Sequence, residues 1–129
     1  GVFNKLFGNS SSEREVVKSN VNWIPLTSLK QLEKIKQQSQ KETILIFKHS
    51  TRCGISKMVI KQFEKLFTED LSELKVYYLD LLNFREISNE VGYKFQVLHQ
   101  SPQLLVIKEG VAVAHASHYD ITQINLQNF

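Results

Sequence analysis

The chain contains a single cysteine, Cys53, and its place in the sequence suits thiol chemistry. An apolar run at 43–47 precedes it, and hydrophobic residues at helical spacing follow it as far as Phe67. A thiol at the start of a helix lies near unpaired backbone N–H groups and the positive end of the helix dipole, and both stabilise a thiolate. Because the thiolate is the reactive form, the sequence predicts that Cys53 is a nucleophile. The alternative is an inert cysteine in the core.

The residues around Cys53 indicate a site with only one thiol. Ser56 stands where a dithiol redox site would carry its second cysteine, so Cys53 can form a mixed disulfide but cannot resolve it internally. We expect Ser56 to hydrogen-bond the Cys53 sulfur, to cap backbone donors at the helix start, or both. Arg52 and Lys57 add positive charge nearby, although Lys57 fits a solvated surface residue better. Gly54 is predicted to keep the backbone beside the sulfur accessible, or to allow a tight turn.

Length and composition limit the possible classes of protein. The 129 residues are 42% hydrophobic, which is enough for one core. The net charge is only +3, without a dense Lys/Arg cluster interleaved with aromatic residues, so we expect no nucleic-acid binding. A single cysteine excludes an internal disulfide. No run approaches the roughly 18 apolar residues of a membrane span, and no signal-peptide pattern is present, so a reducing cytoplasm is the expected location.

Hydrophobic patterning divides the chain into a tail and one domain. Residues 1–20 begin with a short amphipathic patch and continue as a polar run, which predicts a weakly ordered N-terminal tail. The domain is predicted to cover 21–129. Its strands are expected near Trp23 and at 43–47, 75–81, 103–108 and 111–117.

Helix signals lie between these strands. Ser28 with Gln31 predicts a capped helix that ends near Ser39, and the helix after Cys53 follows the second strand. A third helix is expected from an Asn83 cap to Gly92, and Asp120 is predicted to cap a closing helix through Ile121, Ile124 and Leu126. The predicted order is β-α-β-α-β-α-β-β-α, an α/β fold with parallel crossover units, a C-terminal antiparallel hairpin and flanking helices.

With this order, the cysteine at a strand-to-helix junction and a proline just before the hairpin, the chain resembles the thioredoxin fold from about Trp23 to Phe129. Ser101-Pro102 fits the cis-proline position of that fold, which faces the active-site cysteine. The segments 52–56, Arg-Cys-Gly-Ile-Ser, and 118–122, His-Tyr-Asp-Ile-Thr, look more specifically like the YtxJ family. Members of that family are monothiol bacilliredoxins of the bacillithiol system.

Departures from related families agree with a monothiol site. Dithiol thioredoxins carry a buried aspartate six residues before the first cysteine, and Phe47 occupies that position here. Monothiol glutaredoxins have Cys-Gly-Phe-Ser, a Thr-Val-Pro segment and a Gly-Gly pair that holds glutathione. This chain has Ile55, the segment 100–102 and the segment 117–119 at those places. Glutathione binding in the glutaredoxin manner is therefore not expected.

The resemblance implies a thiol–disulfide exchange protein that acts on S-thiolated client proteins. Cys53 would remove a low-molecular-weight thiol, bacillithiol, and a second thiol molecule or an external reductase would regenerate it. Arg52, Gly54 and Ser56 would support the thiolate, and Ser101 with Pro102 would bind the client segment. No bound cofactor is implied, and we expect a monomer.

Three further interpretations stay open. The chain could be a module that holds a [2Fe–2S] cluster between two protomers, a non-catalytic thioredoxin-like adaptor, or a redox sensor without turnover. Lys48, His49 and His99 flank the predicted site, but one cysteine with scattered histidines lacks the spacing of metal ligands, so no metal site is expected. His115 and His118 are interpreted as surface residues.

Overall fold

The structure is a computed structural model that describes residues 19–129, and a five-stranded mixed sheet lies at its centre. The predicted tail, 1–20, falls almost wholly outside the described residues. The strands follow the order β1-β3-β2-β4-β5, with β2 in the middle. β3 runs parallel to both β1 and β2, whereas β4 runs antiparallel to β2 and to β5. Their bounds are β1 Trp23–Pro25, β2 Ile44–His49, β3 Lys75–Asp80, β4 Gln103–Lys108 and β5 Val111–Ser117.

Three α-helices cover the two faces of the sheet. They are α1 Lys30–Gln38, α2 Gly54–Leu66 and α3 Arg85–Phe95. Gln31 supports the start of α1, because its side-chain oxygen accepts a hydrogen bond from the Ser28 N–H at 3.0 Å. None of the helices between 19 and 129 is long and apolar enough to cross a membrane.

The central strand β2 separates two hydrophobic clusters. Successive side chains of a strand point to opposite faces, and every residue of β2 is buried. Ile44 and Ile46 pack with α1 and α3 on one face, whereas Leu45 and Phe47 pack with α2 on the other. This arrangement confirms the predicted α/β fold, including the C-terminal hairpin. Its turn at Glu109 and Gly110 uses two left-handed residues, with φ of 52° and 80°.

The predicted closing α-helix is wrong. Residues 118–128 form two short 3₁₀ helices, His118–Gln123 and Leu126–Asn128, and Asp120 lies inside the first of them instead of capping a helix. Ile121 and Leu126 are both buried against the cluster beside α2. Residues five positions apart lie on different faces of an α-helix, so a regular helix could not bury both.

The predicted bounds of α3 are also corrected. Asn83 does not cap the helix, because its side-chain amide donates to Asp80 at 2.8 Å. The helix continues through Gly92 to Phe95 and ends at a left-handed residue, with Val97 N–H bonded back to the Gly92 carbonyl. A side chain at Gly92 would bring its Cβ within 3.0 Å of the Val97 oxygen. Glycine at 92 therefore allows the backbone of Val97 to approach the helix closely, and it does not end the helix.

Candidate thiol site at one edge of the sheet

The sheet topology brings two distant segments to the same edge. β2 ends at His49, β4 begins at Gln103, and these antiparallel neighbours place Lys48 opposite Gln103. The segment that follows β2 and the segment that precedes β4 therefore emerge at the same end of adjacent strands. One carries Cys53, and the other carries Ser101 and Pro102.

Cys53 occupies the residue just before α2. Its backbone is extended, with φ of −103° and ψ of 121°, and its carbonyl accepts a hydrogen bond from Lys57 N–H at 3.0 Å, which starts the helix. Its own N–H donates to the Ser50 carbonyl at 3.2 Å. The side chain is half-buried and does not cap the helix. The thiol is thus held at a helix N-terminus, the position that the sequence predicts.

Arg52 and Gly54 flank the thiol and are both exposed. Gly54 is the first residue of α2, and a Cβ built there would meet no other atom of the described chain within 4 Å. Neither a crowded turn nor a left-handed backbone requires glycine at this position. The tight-turn interpretation is therefore wrong, and accessibility for another molecule remains the prediction for Gly54.

Ser56 is fully buried. One prediction was that its hydroxyl bonds the Cys53 sulfur, and this prediction is wrong. The oxygen lies 2.8 Å from His49 Nδ1 and accepts a hydrogen bond from Ser50 N–H at 3.1 Å. The third residue of α2 faces the end of β2, so this hydroxyl points into the protein. The alternative prediction, that Ser56 satisfies a backbone donor, fits the contact with Ser50, although that donor precedes the helix.

His49 is the second member of this buried pair. Burial lowers its pKa below the ordinary histidine value, Asp80 acts to raise the pKa, and Lys57 acts to lower it. A neutral ring can accept a hydrogen bond at Nδ1. The Ser56 hydroxyl can donate to Nδ1 when the ring proton is on Nε2, and it can accept from Nδ1 in the other tautomer, so it forms this hydrogen bond in either case.

Lys48 points to the other face of the sheet and is also fully buried. Its ammonium donates to the Ser88 carbonyl of α3 at 3.1 Å and lies 3.3 Å from His99 Nδ1. Burial lowers the pKa of Lys48 to about 8. The pKa of His99 is lowered mainly by burial and further by the positive charges of Lys48 and Arg85. A neutral His99 ring can therefore accept the hydrogen bond from the Lys48 ammonium.

Sequence reasoning did not identify the Lys48 and His49 contacts. The predicted strand stopped at Phe47, the last apolar residue, whereas β2 continues for two more residues. A signal was available in the continuous apolar run, because a strand buried on both faces also buries the residues that extend it.

Pro102 and Ser101 lie at the start of β4. The peptide bond between them is cis, Pro102 is buried, and its carbonyl accepts a hydrogen bond from His118 N–H at 2.9 Å. The next residue, Tyr119, places its hydroxyl 3.7 Å from the sulfur of Met58 on α2. The loop before β4, the turn at 118–119 and α2 are thus joined by contacts at the edge of the sheet that carries Cys53.

Ionisable residues do not form a metal-binding group in this region. Across 19–129, no three His, Cys, Asp or Glu side chains come together in a way that could hold a metal ion. His115 and His118 are exposed, as predicted.

The sequence from 24 to 126 matches the family described as monothiol bacilliredoxin BrxC. The chain belongs to this family. The predicted family is thereby confirmed, and membership together with the fold supports a thiol–disulfide redox function. The bacilliredoxin match includes Cys53, Ser56 and Pro102, so each of these positions lies within the shared domain.

Solved structures confirm the thioredoxin fold. A protein described as a candidate oxidoreductase with a thioredoxin fold is 31% identical, with a TM-score of 0.66 over 77% of this chain and 85% of that one. Thioredoxin from Malassezia sympodialis is 22% identical, with a TM-score of 0.65 over 91% and 94% of the two chains. Thioredoxin from Trypanosoma brucei brucei is 17% identical, with a TM-score of 0.62 over 84% and 89%. The two thioredoxins support the fold alone.

Proposed function

We propose that this bacilliredoxin removes a low-molecular-weight thiol, bacillithiol, from mixed disulfides on client proteins through Cys53. The observation that carries the proposal is a lone thiol at the start of α2, with a buried serine at position 56. A mixed disulfide formed at Cys53 therefore meets no second thiol of its own chain. This arrangement favours a carrier of one small thiol over an internally resolving dithiol enzyme.

The exchange step is balanced without an outside oxidant. The Cys53 thiolate attacks the small-thiol sulfur of the client mixed disulfide, a bond forms between these two sulfurs, and the original disulfide bond breaks. The client cysteine leaves as a thiolate and takes a proton from solvent. Cys53 then carries the small thiol as its own mixed disulfide, so one disulfide is consumed and one is formed.

Regeneration requires a second reaction. Another small-thiol molecule or an external reductase attacks the mixed disulfide and releases the Cys53 thiolate, since the chain has no other cysteine. We place this cycle in a reducing compartment, the cytoplasm, because a lone thiol must be returned to its reduced form after every exchange.

The surroundings of Cys53 support roles for the remaining predicted residues. The helix N-terminus and the exposed Arg52 place positive charge near the sulfur, which would attract an anionic small thiol. Gly54 leaves room for the approaching client. The backbone of Ser101 is proposed to pair with an extended client segment, which gives affinity with little dependence on client sequence.

The test uses a client protein carrying one bacillithiol on a single cysteine. Incubation with this protein should give free client and a single bacillithiol adduct on Cys53, both visible by intact mass. Cys53→Ser should form no adduct, and a glutathionylated client should react more slowly. Equal rates with both thiols would refute the specificity for bacillithiol.

The same preparation separates the proposal from its alternatives. Intact client and unmodified Cys53 would overturn the exchange function and favour the adaptor. A brown protein with visible absorbance would instead favour the cluster-binding module.

A further inference from the structure

Lys48 is the one lysine among residues 19–129 whose side chain is wholly shielded from solvent. It lies near the end of the central strand β2, on the face that Ile44 and Ile46 share with α3. Burial of an ammonium group is unfavourable unless the charge is compensated, so a lysine here needs a specific explanation.

No carboxylate compensates this charge in the described part of the chain. The ion pairs found between 19 and 129 are Lys75 with Glu42 and Lys94 with Glu33. The Lys48 ammonium instead contacts one carbonyl oxygen, from Ser88 of α3, and one ring nitrogen, from His99. The contacts are thus directed to two separate segments of the chain.

His99 belongs to the loop that leads to the candidate client-binding residues. Within the described chain, the contact with Lys48 is the one hydrogen bond made by residues 99–101. The flanking residues are held separately, because the Gln103 side chain donates to the Leu98 carbonyl and Pro102 bonds His118. The middle of the loop therefore depends on Lys48 for its attachment to the protein.

We propose that Lys48 is a positioning residue, which fixes the loop at 99–101 against α3 so that the Ser101 backbone is ready to receive a client. It acts through His99 and does not act on the sulfur, since its side chain lies on the α3 face and not on the face of Ser56. The link to client binding rests on the proposed function, whereas the link to loop order does not.

The test replaces Lys48 and His99 separately and together. Lys48→Met keeps a flexible chain of similar length without the charge, and His99→Ala removes the loop's acceptor from an exposed position. Both variants should lower the NMR backbone order parameters of residues 99–101 from values near those of rigid backbone, about 0.85, towards those of a flexible loop, below about 0.6. The double variant should match Lys48→Met, because both changes remove the same contact. Lys61→Met, an exposed lysine on α2, is the control and should leave this loop unchanged.

A functional measurement then distinguishes positioning from general damage. In Lys48→Met the KM for the client should rise several-fold, while alkylation of Cys53 by iodoacetamide keeps its rate. Unchanged order parameters at 99–101 in both single variants would overturn the inference. If the natural protein transferred no small thiol at all, the proposed function would fail, and the order parameters of the loop would still decide the role of Lys48.

Discussion

The Ser56 hydroxyl lies 2.8 Å from His49 Nδ1, inside the protein and directed away from solvent. This pair connects the third residue of α2 to the last residue of β2. The same oxygen accepts the N–H of Ser50, so it fixes the start of the turn that carries Cys53. Lys48, the preceding residue of β2, makes the equivalent attachment on the opposite face, to the loop before β4. The end of one strand thus anchors both segments that form the candidate site.

Ser56→Cys should convert the site to a dithiol. A sulfur at 56 would lie one helical turn from Cys53, at a separation suited to a disulfide. We expect the adduct on Cys53 to be released as free small thiol, with an internal disulfide left behind, as measured by a mass decrease of the adduct and loss of free thiols. Cys53→Ser combined with Ser56→Cys is the control and should take no adduct if the buried thiol at 56 is inaccessible. A stable adduct on Cys53 in the Ser56→Cys variant would contradict the prediction.

Acid should weaken the protein through His49. Its pKa in the folded state lies below the ordinary value near 6.5, so the unfolded chain binds more protons in this range. Stability contributed by the neutral ring is present above pH 6.5 and is lost as the pH falls through the lowered pKa.

The measurement is urea unfolding between pH 5 and 7, a range chosen around the histidine pKa. His49→Asn keeps an acceptor near Ser56 but cannot titrate, so its free energy of unfolding should change less over this range. Parallel curves for the two proteins would show that another group causes the acid sensitivity.

Alkaline conditions should have the opposite effect through Lys48. Its pKa in the folded protein is lowered to about 8, so between this value and 10.5 the unfolded chain binds the additional proton. The stability of the natural protein relative to Lys48→Met should therefore rise as the pH increases from 8 to 10, by on the order of 3 kcal/mol at most. Below pH 8 the difference between the two proteins should be constant. A difference that stays constant up to pH 10 would show that Lys48 keeps an ordinary pKa.

Gly54→Ala should separate folding from client access. Since a Cβ at this position meets nothing within 4 Å, alanine should fit and stabilise the protein by about 0.4–1 kcal/mol, mainly by restricting the unfolded chain. Exchange with a protein mixed disulfide should slow several-fold, because the added methyl group occupies space beside the sulfur. Thermal unfolding and second-order exchange rates measure the two effects.

Gly92→Ala provides the matched comparison. There a Cβ would come within 3.0 Å of the Val97 carbonyl, so this variant should lose stability. If Gly54→Ala exchanges as fast as the natural protein, the glycine has no role in client access.

Local patterns made most of the fold predictable. The apolar run at 43–47 identifies the central strand, and Glu109-Gly110 identifies the hairpin turn. Cys53 lies between a strand pattern and a helix pattern, and the structure contains both the strand and the helix. These features depend on residues that are close together in the sequence, so they can be predicted from one sequence alone.

Contacts between distant segments could not be predicted in the same way. The His49–Ser56 bond depends on how the third residue of α2 turns towards the strand, and the Lys48–His99 contact joins residues 51 positions apart. The segment after β5 was misassigned because Ile121, Ile124 and Leu126 suggest a helix, whereas burial of Ile121 and Leu126 in one cluster requires shorter turns.

The position of β2 between β3 and β4 has a consequence for protein synthesis. Strand β4 is made long after β2, and the contact of Pro102 with His118 needs residues made later still. Until residues 103–118 have been made and have folded, the central strand therefore lacks one neighbour, and the loop before β4 is not yet held at the edge of the sheet that carries Cys53. A nascent chain at this stage presents the thiol without its completed surroundings, so we expect Cys53 to be most open to indiscriminate disulfide formation during synthesis.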